Sequence, residues 1–159
     1  LTKLQFVDEA FHKTIYPRCK PEIGDVLLTK DGAKTGNVTL NTLDEPFSLL
    51  SSVCLIKTNK NELRADFLKY YIQSPIGFKS ITGKMTGAAI KRIILRAIKS
   101  ATIPLPLVDE QKEIVKNIDS LLTETKKLEA IYTQKIADLE EMKKSVLQKA
   151  FSGQLNIIN

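Results

Sequence analysis

The sequence predicts an α+β fold, in which a small mixed domain of strands and helices is followed by one long coiled-coil helix. Short apolar runs separated by turn residues fill residues 1–106, a pattern typical of a domain with alternating short elements. From residue 107 onward, apolar residues recur at helical spacing, with no Pro or Gly between Asp109 and Lys149. We therefore expect two parts, residues 1–106 and 107–159.

The long helix carries a stripe of residues that follow each other at alternating steps of four and three. A 4-3 repeat keeps one side of a helix facing a partner helix, and a helix of this length extends roughly 60 Å. Most of the stripe is apolar, while Thr125, Lys135 and Lys149 interrupt it. Polar residues at such positions commonly fix register and partner choice. The apolar members, here called the seam, are Ile114, Ile118, Leu121, Leu128, Tyr132, Leu139, Met142 and Val146.

The alternative for this helix is that it packs along its own domain. That arrangement would need more exposed apolar surface than a domain of about a hundred residues normally offers. We therefore expect the seam to pair with a second copy of the chain, although the seam alone does not distinguish parallel from antiparallel pairing.

In the domain itself, the predicted elements follow one another with short connections. Asp31-Gly32 lies between two apolar runs and is a good turn signal. Strands are predicted at residues 26–29, 36–40, 47–56 and 101–105. Helices are predicted at residues 7–14 and 62–73, the second ended by Ser74-Pro75, and a short helix or strand is predicted at residues 90–98. Residues 79–89 are predicted to be flexible.

The basic charge belongs to the domain and not to the long helix. Residues 1–108 hold 16 Lys and Arg against 9 Asp and Glu, whereas residues 109–159 hold 8 against 9. No acidic residue occurs between Phe67 and Val108, a stretch that contains seven Lys and Arg. A surface of one charge suits a polyanion such as nucleic acid. The alternative is that these are ordinary solvated lysines.

Motifs for catalysis or metal binding are weak in this chain. His12 is its one histidine, and Cys19 and Cys54 lack metal-ligand spacing, so we expect no metal site. The loop from Gly32 to Gly36 lacks the ending of a phosphate-binding loop. No apolar run is long enough to cross a bilayer and no signal-peptide pattern occurs. We expect two buried thiols and a cytoplasmic protein without catalytic residues.

Three segments carry a resemblance to a known family. Residues 103–115, IPLPLVDEQKEIV, which open the long helix, resemble the junction between recognition domain and spacer helix in the DNA specificity subunits of type I restriction–modification systems. Residues 147–155, LQKAFSGQL, resemble the exit of that spacer helix. Residues 24–32, GDVLLTKDG, resemble a strand and turn of the family's recognition domains, and Gly87-Ala88-Ala89 also fits.

The resemblance implies a non-catalytic subunit that recognises DNA. Family members normally carry two recognition domains joined by two antiparallel helices, so that the target is bipartite with an unspecified gap. They deliver a methyltransferase subunit, which uses S-adenosylmethionine, and a restriction subunit, which uses ATP. This chain has one domain and one helix, and we expect its recognition domain to lack a first segment. It is either a fragment or a half-subunit that pairs with a second copy.

Such a domain would bind double-stranded DNA through phosphate contacts from Lys and Arg and through polar side chains at base edges. The expected contacts lie in two segments, the turn after the first strand and the basic stretch before residue 98. Arg92 is the strongest expectation for a base contact, because its planar fork can donate to two acceptors of guanine. The expected DNA-binding residues are Lys30, Lys34, Thr35, Lys84, Thr86, Lys91 and Arg92.

Two other functional classes remain open from the sequence. A structural coiled-coil adaptor with an incidental basic surface would bind DNA weakly and with a shallow salt dependence. A nuclease or methyltransferase fragment would need a carboxylate cluster or a cofactor motif, and the sequence contains neither pattern.

Overall fold

A computed structural model of the 159-residue chain describes residues 6–83 and 92–153. The chain divides into two compact units, Leu1–Val115 and Lys116–Asn159. The prediction of an α+β fold that includes one long helix is confirmed. The described elements are α1 (Glu9–Ile15), a 3-10 turn (Tyr16–Arg18), β1 (Val26–Thr29), β2 (Val38–Leu40), β3 (Val53–Ile56), α2 (Ala65–Gln73), α3 (Pro75–Thr82), α4 (Leu95–Lys99) and α5 (Val108–Phe151).

The three described strands form an antiparallel sheet in the order β2-β1-β3. In the central strand, Val26 pairs with Leu40 on one side and with Ile56 on the other. Side chains alternate between the two faces of a strand, so Val26 and Leu28 are fully buried while Leu27 and Thr29 are partly exposed. One face of β1 therefore forms the centre of the core.

The core of the first unit is completed by three helices and one loop residue. Ile72 of α2 and Ile81 of α3 are buried against the sheet, together with Ala97 of α4. Ile93, in the loop before α4, is fully buried. Its backbone N–H donates to Lys30 O over 2.8 Å, so this loop is fixed to the end of β1 by a hydrogen bond as well as by packing.

A helix that the sequence pattern did not predict follows α2 directly. Ser74 ends α2 as predicted, and its Oγ then accepts a hydrogen bond from Gly77 N over 3.1 Å as the N-cap of α3. A Cβ on Gly77 would lie 1.8 Å from Tyr71 O, so only glycine allows α3 to lie this close to α2. Residues 79–82 therefore belong to a helix, which corrects the predicted flexible stretch over its described part.

Three predicted strands are shorter or absent. The second begins at Val38 and not at residue 36, because residues 33–36 form a turn. The third strand begins only at Val53, because residues 51–52 form a turn that is closed by a hydrogen bond from Val53 N to Leu50 O. The prediction of a strand at residues 101–105 is wrong. Ala101 and Ile103 pack against the core, but Pro104 and Pro106 have no N–H to donate to a neighbouring strand.

The N-terminal helix begins slightly later than predicted, because Asp8 acts as its N-cap and accepts from Phe11 N over 2.8 Å. His12 Nδ1 lies 2.9 Å from Ser48 Oγ, which connects α1 to the loop between β2 and β3. The expectation that both cysteines are buried is wrong for Cys19, which is exposed just after the 3-10 turn, whereas Cys54 is half-buried in β3.

The first turn of α5 is attached to the domain by a buried glutamine. Gln111 has no exposed surface. Its Oε1 accepts from Arg64 N over 2.9 Å, and its Nε2 donates to Glu62 O and Pro106 O, each over 2.8 Å. Three backbone groups that helices and turns leave unpaired thereby find partners in one side chain.

The α5 seam is exposed along most of its length. Leu121 is 64% exposed and Val146 is 51% exposed, and the long helix fits a coiled coil. Thr125 donates its hydroxyl to Leu121 O over 2.8 Å, so this polar residue leaves no unpaired donor in the stripe. Ile131 and Ile136, outside the seam, are also exposed and widen the apolar face beside Lys135. No described helix combines the length and hydropathy needed to cross a bilayer.

Replacing the buried glutamine tests the attachment of α5. Gln111→Ala removes the partner of three backbone groups and leaves a cavity at a fully buried position, so we expect the free energy of unfolding to fall by about 2–3 kcal/mol, measured by urea denaturation. Gln148→Ala, at an exposed position of the same helix, is the matched control and should change stability little. Equal stability of the two variants would contradict the role of Gln111.

Candidate nucleic-acid interface

Two of the segments predicted to contact DNA meet in the structure. Asp31, at the end of β1, forms an isolated antiparallel bridge with Arg92, 61 residues away in sequence. The turn after β1 and the described end of the basic segment before α4 are therefore neighbours. The carboxylate of Asp31 lies between Lys30 and Arg92, and these three residues are here called the Asp31 cluster.

The Asp31 cluster is held by two ion pairs on one carboxylate. Lys30 Nζ lies 2.5 Å from Asp31 Oδ2, and Arg92 Nε lies 2.7 Å from Asp31 Oδ1. The hydrogen bond from Lys30 is the main cause that lowers the pKa of the Asp31 carboxyl below its ordinary value of 3.8. Partial burial raises this pKa, and the hydrogen bond from Arg92 lowers it again. Asp31 is thus charged at neutral pH.

The three side chains differ sharply in exposure. Those of Lys30 and Asp31 are 18% and 15% exposed, whereas that of Arg92 is 62% exposed. Arg92 contacts the carboxylate through Nε, which lies on one edge of the guanidinium. The adjacent edge, formed by the two terminal nitrogens, carries donors in the geometry that suits two acceptors on one base or one phosphate. Of the three, Arg92 is the residue most available to a ligand.

The turn between β1 and β2 has a defined shape. Gly36 N donates to Thr29 O and Asn37 N donates to Lys34 O, over 2.8 and 3.0 Å. Gly36 has a φ of +96°, and a Cβ there would lie 2.3 Å from the Phe78 ring. Glycine is therefore required at position 36, both by backbone conformation and by the contact with α3.

Lys34 and Thr35 occupy the same turn but differ in their surroundings. Lys34 is exposed and forms no ion pair with any described residue. Thr35 is partly buried, and its hydroxyl donates to Gly32 O over 2.6 Å. Its donor capacity is thus used within the turn, while Lys34 presents a cation at the surface.

The remaining predicted DNA contacts, Lys84, Thr86 and Lys91, lie outside the described residues. The described basic surface continues instead on α4, where Arg96 and Lys99 are exposed. The charges of Lys30 and Lys99 both act on the Cys54 thiol, although burial is the larger effect and raises its pKa.

Sequence reasoning missed the part played by Asp31, which the pattern marked only as a turn residue. Aspartate in an Asp-Gly pair is common in turns for local reasons, and no local signal connects it to an arginine 61 residues later. Within residues 6–83 and 92–153, no group of three His, Cys, Asp or Glu side chains could hold a metal ion.

The match to known proteins identifies the class of molecule. Residues 16–141 match the family described as the type I restriction modification DNA specificity domain, and the chain belongs to this family. The resemblance stated from the sequence is thereby confirmed. The match includes the Asp31 cluster and most of α5.

Two curated relatives, each a specificity subunit, match most of the chain. The chain is 28% identical over 140 residues to the type I restriction enzyme EcoBI specificity subunit of Escherichia coli, covering 88% of this chain and 29% of that protein. It is 29% identical over 129 residues to the MjaVIII specificity subunit of Methanocaldococcus jannaschii, covering 80% and 28%. The chain thus spans less than a third of the length of these curated relatives.

The pH dependence of stability tests the ion pairs of Asp31. Because the pKa of Asp31 is lowered in the folded state, its contribution to stability is present above its ordinary pKa and is lost as pH falls through the folded-state pKa. We expect wild type to be more stable than Asp31→Asn at about pH 6, and the difference to shrink towards about pH 2. Urea denaturation across this range measures it, and a difference independent of pH would contradict the ion pairing.

Proposed function

We propose that this chain is a sequence-specific DNA-binding half of a type I specificity subunit, which recognises one part of a bipartite target. The observation that carries the proposal is the Asp31 cluster. It joins Lys30 and Arg92, from two basic segments that were predicted independently to contact DNA, and it leaves the Arg92 side chain largely exposed. Membership of the DNA specificity domain family supports the same function.

The proposed surface comprises the turn between β1 and β2, Arg92 and the exposed cations of α4. Lys34 and Lys99 supply mobile cations that suit phosphates, and the exposed terminal edge of Arg92 suits a base. We assign Lys84, Thr86 and Lys91 to the same surface on sequence grounds, because they precede Arg92 closely in the chain. Thr35 supports the shape of the turn through its hydrogen bond to Gly32 O.

The proposal extends to assembly. Two copies of the chain pair antiparallel through the α5 seam and so hold two recognition domains at a fixed separation. The exposed leucines, isoleucine and methionine of α5 support pairing, because an apolar stripe of this length is costly in water. A methyltransferase subunit with S-adenosylmethionine and a restriction subunit with ATP dock on this pair in the cytoplasm, and this chain contributes no catalytic residue.

A second candidate is a structural coiled-coil adaptor whose basic surface is incidental. The exposed seam favours it as much as it favours the first proposal. The two differ in the dependence of DNA affinity on salt. A DNA-binding domain that contacts several phosphates loses affinity steeply as salt rises, whereas an adaptor has a shallow dependence.

Removing the arginine tests the first proposal. We expect Arg92→Ala to weaken binding to duplex DNA that contains the target by about 1–3 kcal/mol, measured by fluorescence anisotropy at fixed salt. Arg18→Ala removes an exposed arginine at the 3-10 turn and is the charge-matched control. If both variants bind like the wild type, Arg92 is not a base contact.

Pairing through the seam is tested in solution. We expect the chain to sediment as a dimer at tens of micromolar, and Leu139→Glu to shift it to a monomer because burying a carboxylate in an apolar interface is unfavourable. Ala137→Glu places the same charge on the opposite face of the helix and should leave the dimer intact. A monomeric wild type at this concentration would contradict the proposed pairing.

A further inference from the structure

A carboxylate on a DNA-binding surface needs an explanation, because it repels phosphates. Asp31 stands in the middle of the proposed surface, between two cations. Its two partners neutralise it, since two positive charges and one negative charge leave the Asp31 cluster with a net charge of +1. Without Asp31 the same site would carry +2 and attract DNA more strongly, so affinity alone does not account for the residue.

The geometry shows what Asp31 does to Arg92. The arginine backbone is bridged to Asp31, and the next residue, Ile93, is fully buried and donates its N–H to Lys30 O over 2.8 Å. In addition, the Asp31 carboxylate accepts a hydrogen bond from Arg92 Nε over 2.7 Å. A long side chain with several freely rotating bonds is thus held at both its base and its end, which removes much of the conformational entropy that binding would otherwise cost.

We infer that Asp31 is a positioning residue for sequence recognition: by accepting a hydrogen bond from Arg92 Nε, it orients the edge formed by the two terminal nitrogens of the guanidinium towards the O6 and N7 acceptors of a guanine. This inference rests on the proposed function. A guanidinium has two edges that can each donate two parallel hydrogen bonds. Because Arg92 Nε is held by the carboxylate, the edge formed by the two terminal nitrogens is left for a base. The O6 and N7 acceptors of guanine in the major groove fit that edge.

The inference predicts opposite effects on two measurable quantities. Removing the negative charge with Asp31→Asn should strengthen or preserve affinity for unrelated duplex DNA, because the surface becomes more positive. The same change should lower the ratio of specific to unrelated affinity by about fivefold or more, since one bidentate contact becomes poorly oriented. An aspartate that only stabilises the turn would lower both affinities together.

The experiment uses the full chain and a pool of random duplexes, from which the wild type selects its preferred sequence. Specific and unrelated affinities are then measured for wild type, Asp31→Asn, Arg92→Lys and the double variant. Arg92→Lys keeps the charge but lacks the fork, so we expect it to lose the same discrimination, and the double variant to lose no more. Asp25→Asn is the matched control, because Asp25 is also shielded and pairs with Lys57 over 2.9 Å at the opposite end of β1.

The contact itself is tested with 7-deazaguanine, which lacks the N7 acceptor, placed in turn at each guanine of the selected sequence. We expect one position at which the wild type and Asp25→Asn lose affinity, whereas Asp31→Asn does not. If circular dichroism shows that Asp31→Asn is unfolded, Asp31→Ser replaces it.

The possible failures are distinguishable. If Asp31→Asn keeps the wild-type discrimination and the wild-type response to 7-deazaguanine, the positioning role is overturned while DNA recognition stands. The same holds if Arg92→Lys keeps the wild-type discrimination, because a lysine has no planar fork to orient. If the wild type selects no sequence from the pool, the proposed function fails as well.

Discussion

The ion pairs of Asp31 are the constraint on which the proposed recognition surface depends. They bring together a turn and a loop that are 61 residues apart in sequence, and they do so beside a backbone bridge and a fully buried isoleucine. A surface ion pair alone contributes little to stability. Here the Asp31 carboxylate is largely shielded and accepts hydrogen bonds from both Lys30 and Arg92. Its main effect is therefore to fix the orientation of these two side chains.

The start of α5 is also held by hydrogen bonds from polar side chains to backbone groups. Gln111 satisfies three backbone groups from two segments with one amide and is completely buried. Glu110 adds a second anchor, because its carboxylate accepts from Leu107 N over 3.0 Å and so caps the helix. Residues 109–111, Asp-Glu-Gln, belong to the segment that carried the family resemblance. Their structural role is that Glu110 and Gln111 form hydrogen bonds with backbone groups near the start of α5.

The sequence was most informative where periodicity is long or turn chemistry is local. The long helix was predicted to within two residues at either end, at Val108 and Phe151, and β1 was predicted with its observed bounds, because both depend on patterns within a short window. The strand predicted at residues 101–105 was wrong because apolar residues can pack on a core without a strand to pair with. Helix α3 was missed because Ser74-Pro75 signals both the end of one helix and the start of the next.

The candidate site was only partly accessible to the same reasoning. Lys30, Lys34 and Arg92 could be named from charge and from turn position, but their grouping depends on a tertiary contact that one sequence does not encode locally. Asp31, the residue that makes the group, was therefore not selected. Most residues of the α5 seam are exposed, and Ile131 and Ile136 were overlooked because they lie outside a strict 4-3 repeat.

The most direct test of this account is a crystal structure of the chain bound to the duplex that it selects. The account predicts that the terminal nitrogens of Arg92 lie within hydrogen-bonding distance of the edge of a base, while Arg92 Nε remains on the Asp31 carboxylate. A complex in which the DNA lies on another face, with the Asp31 cluster in solvent, would contradict it.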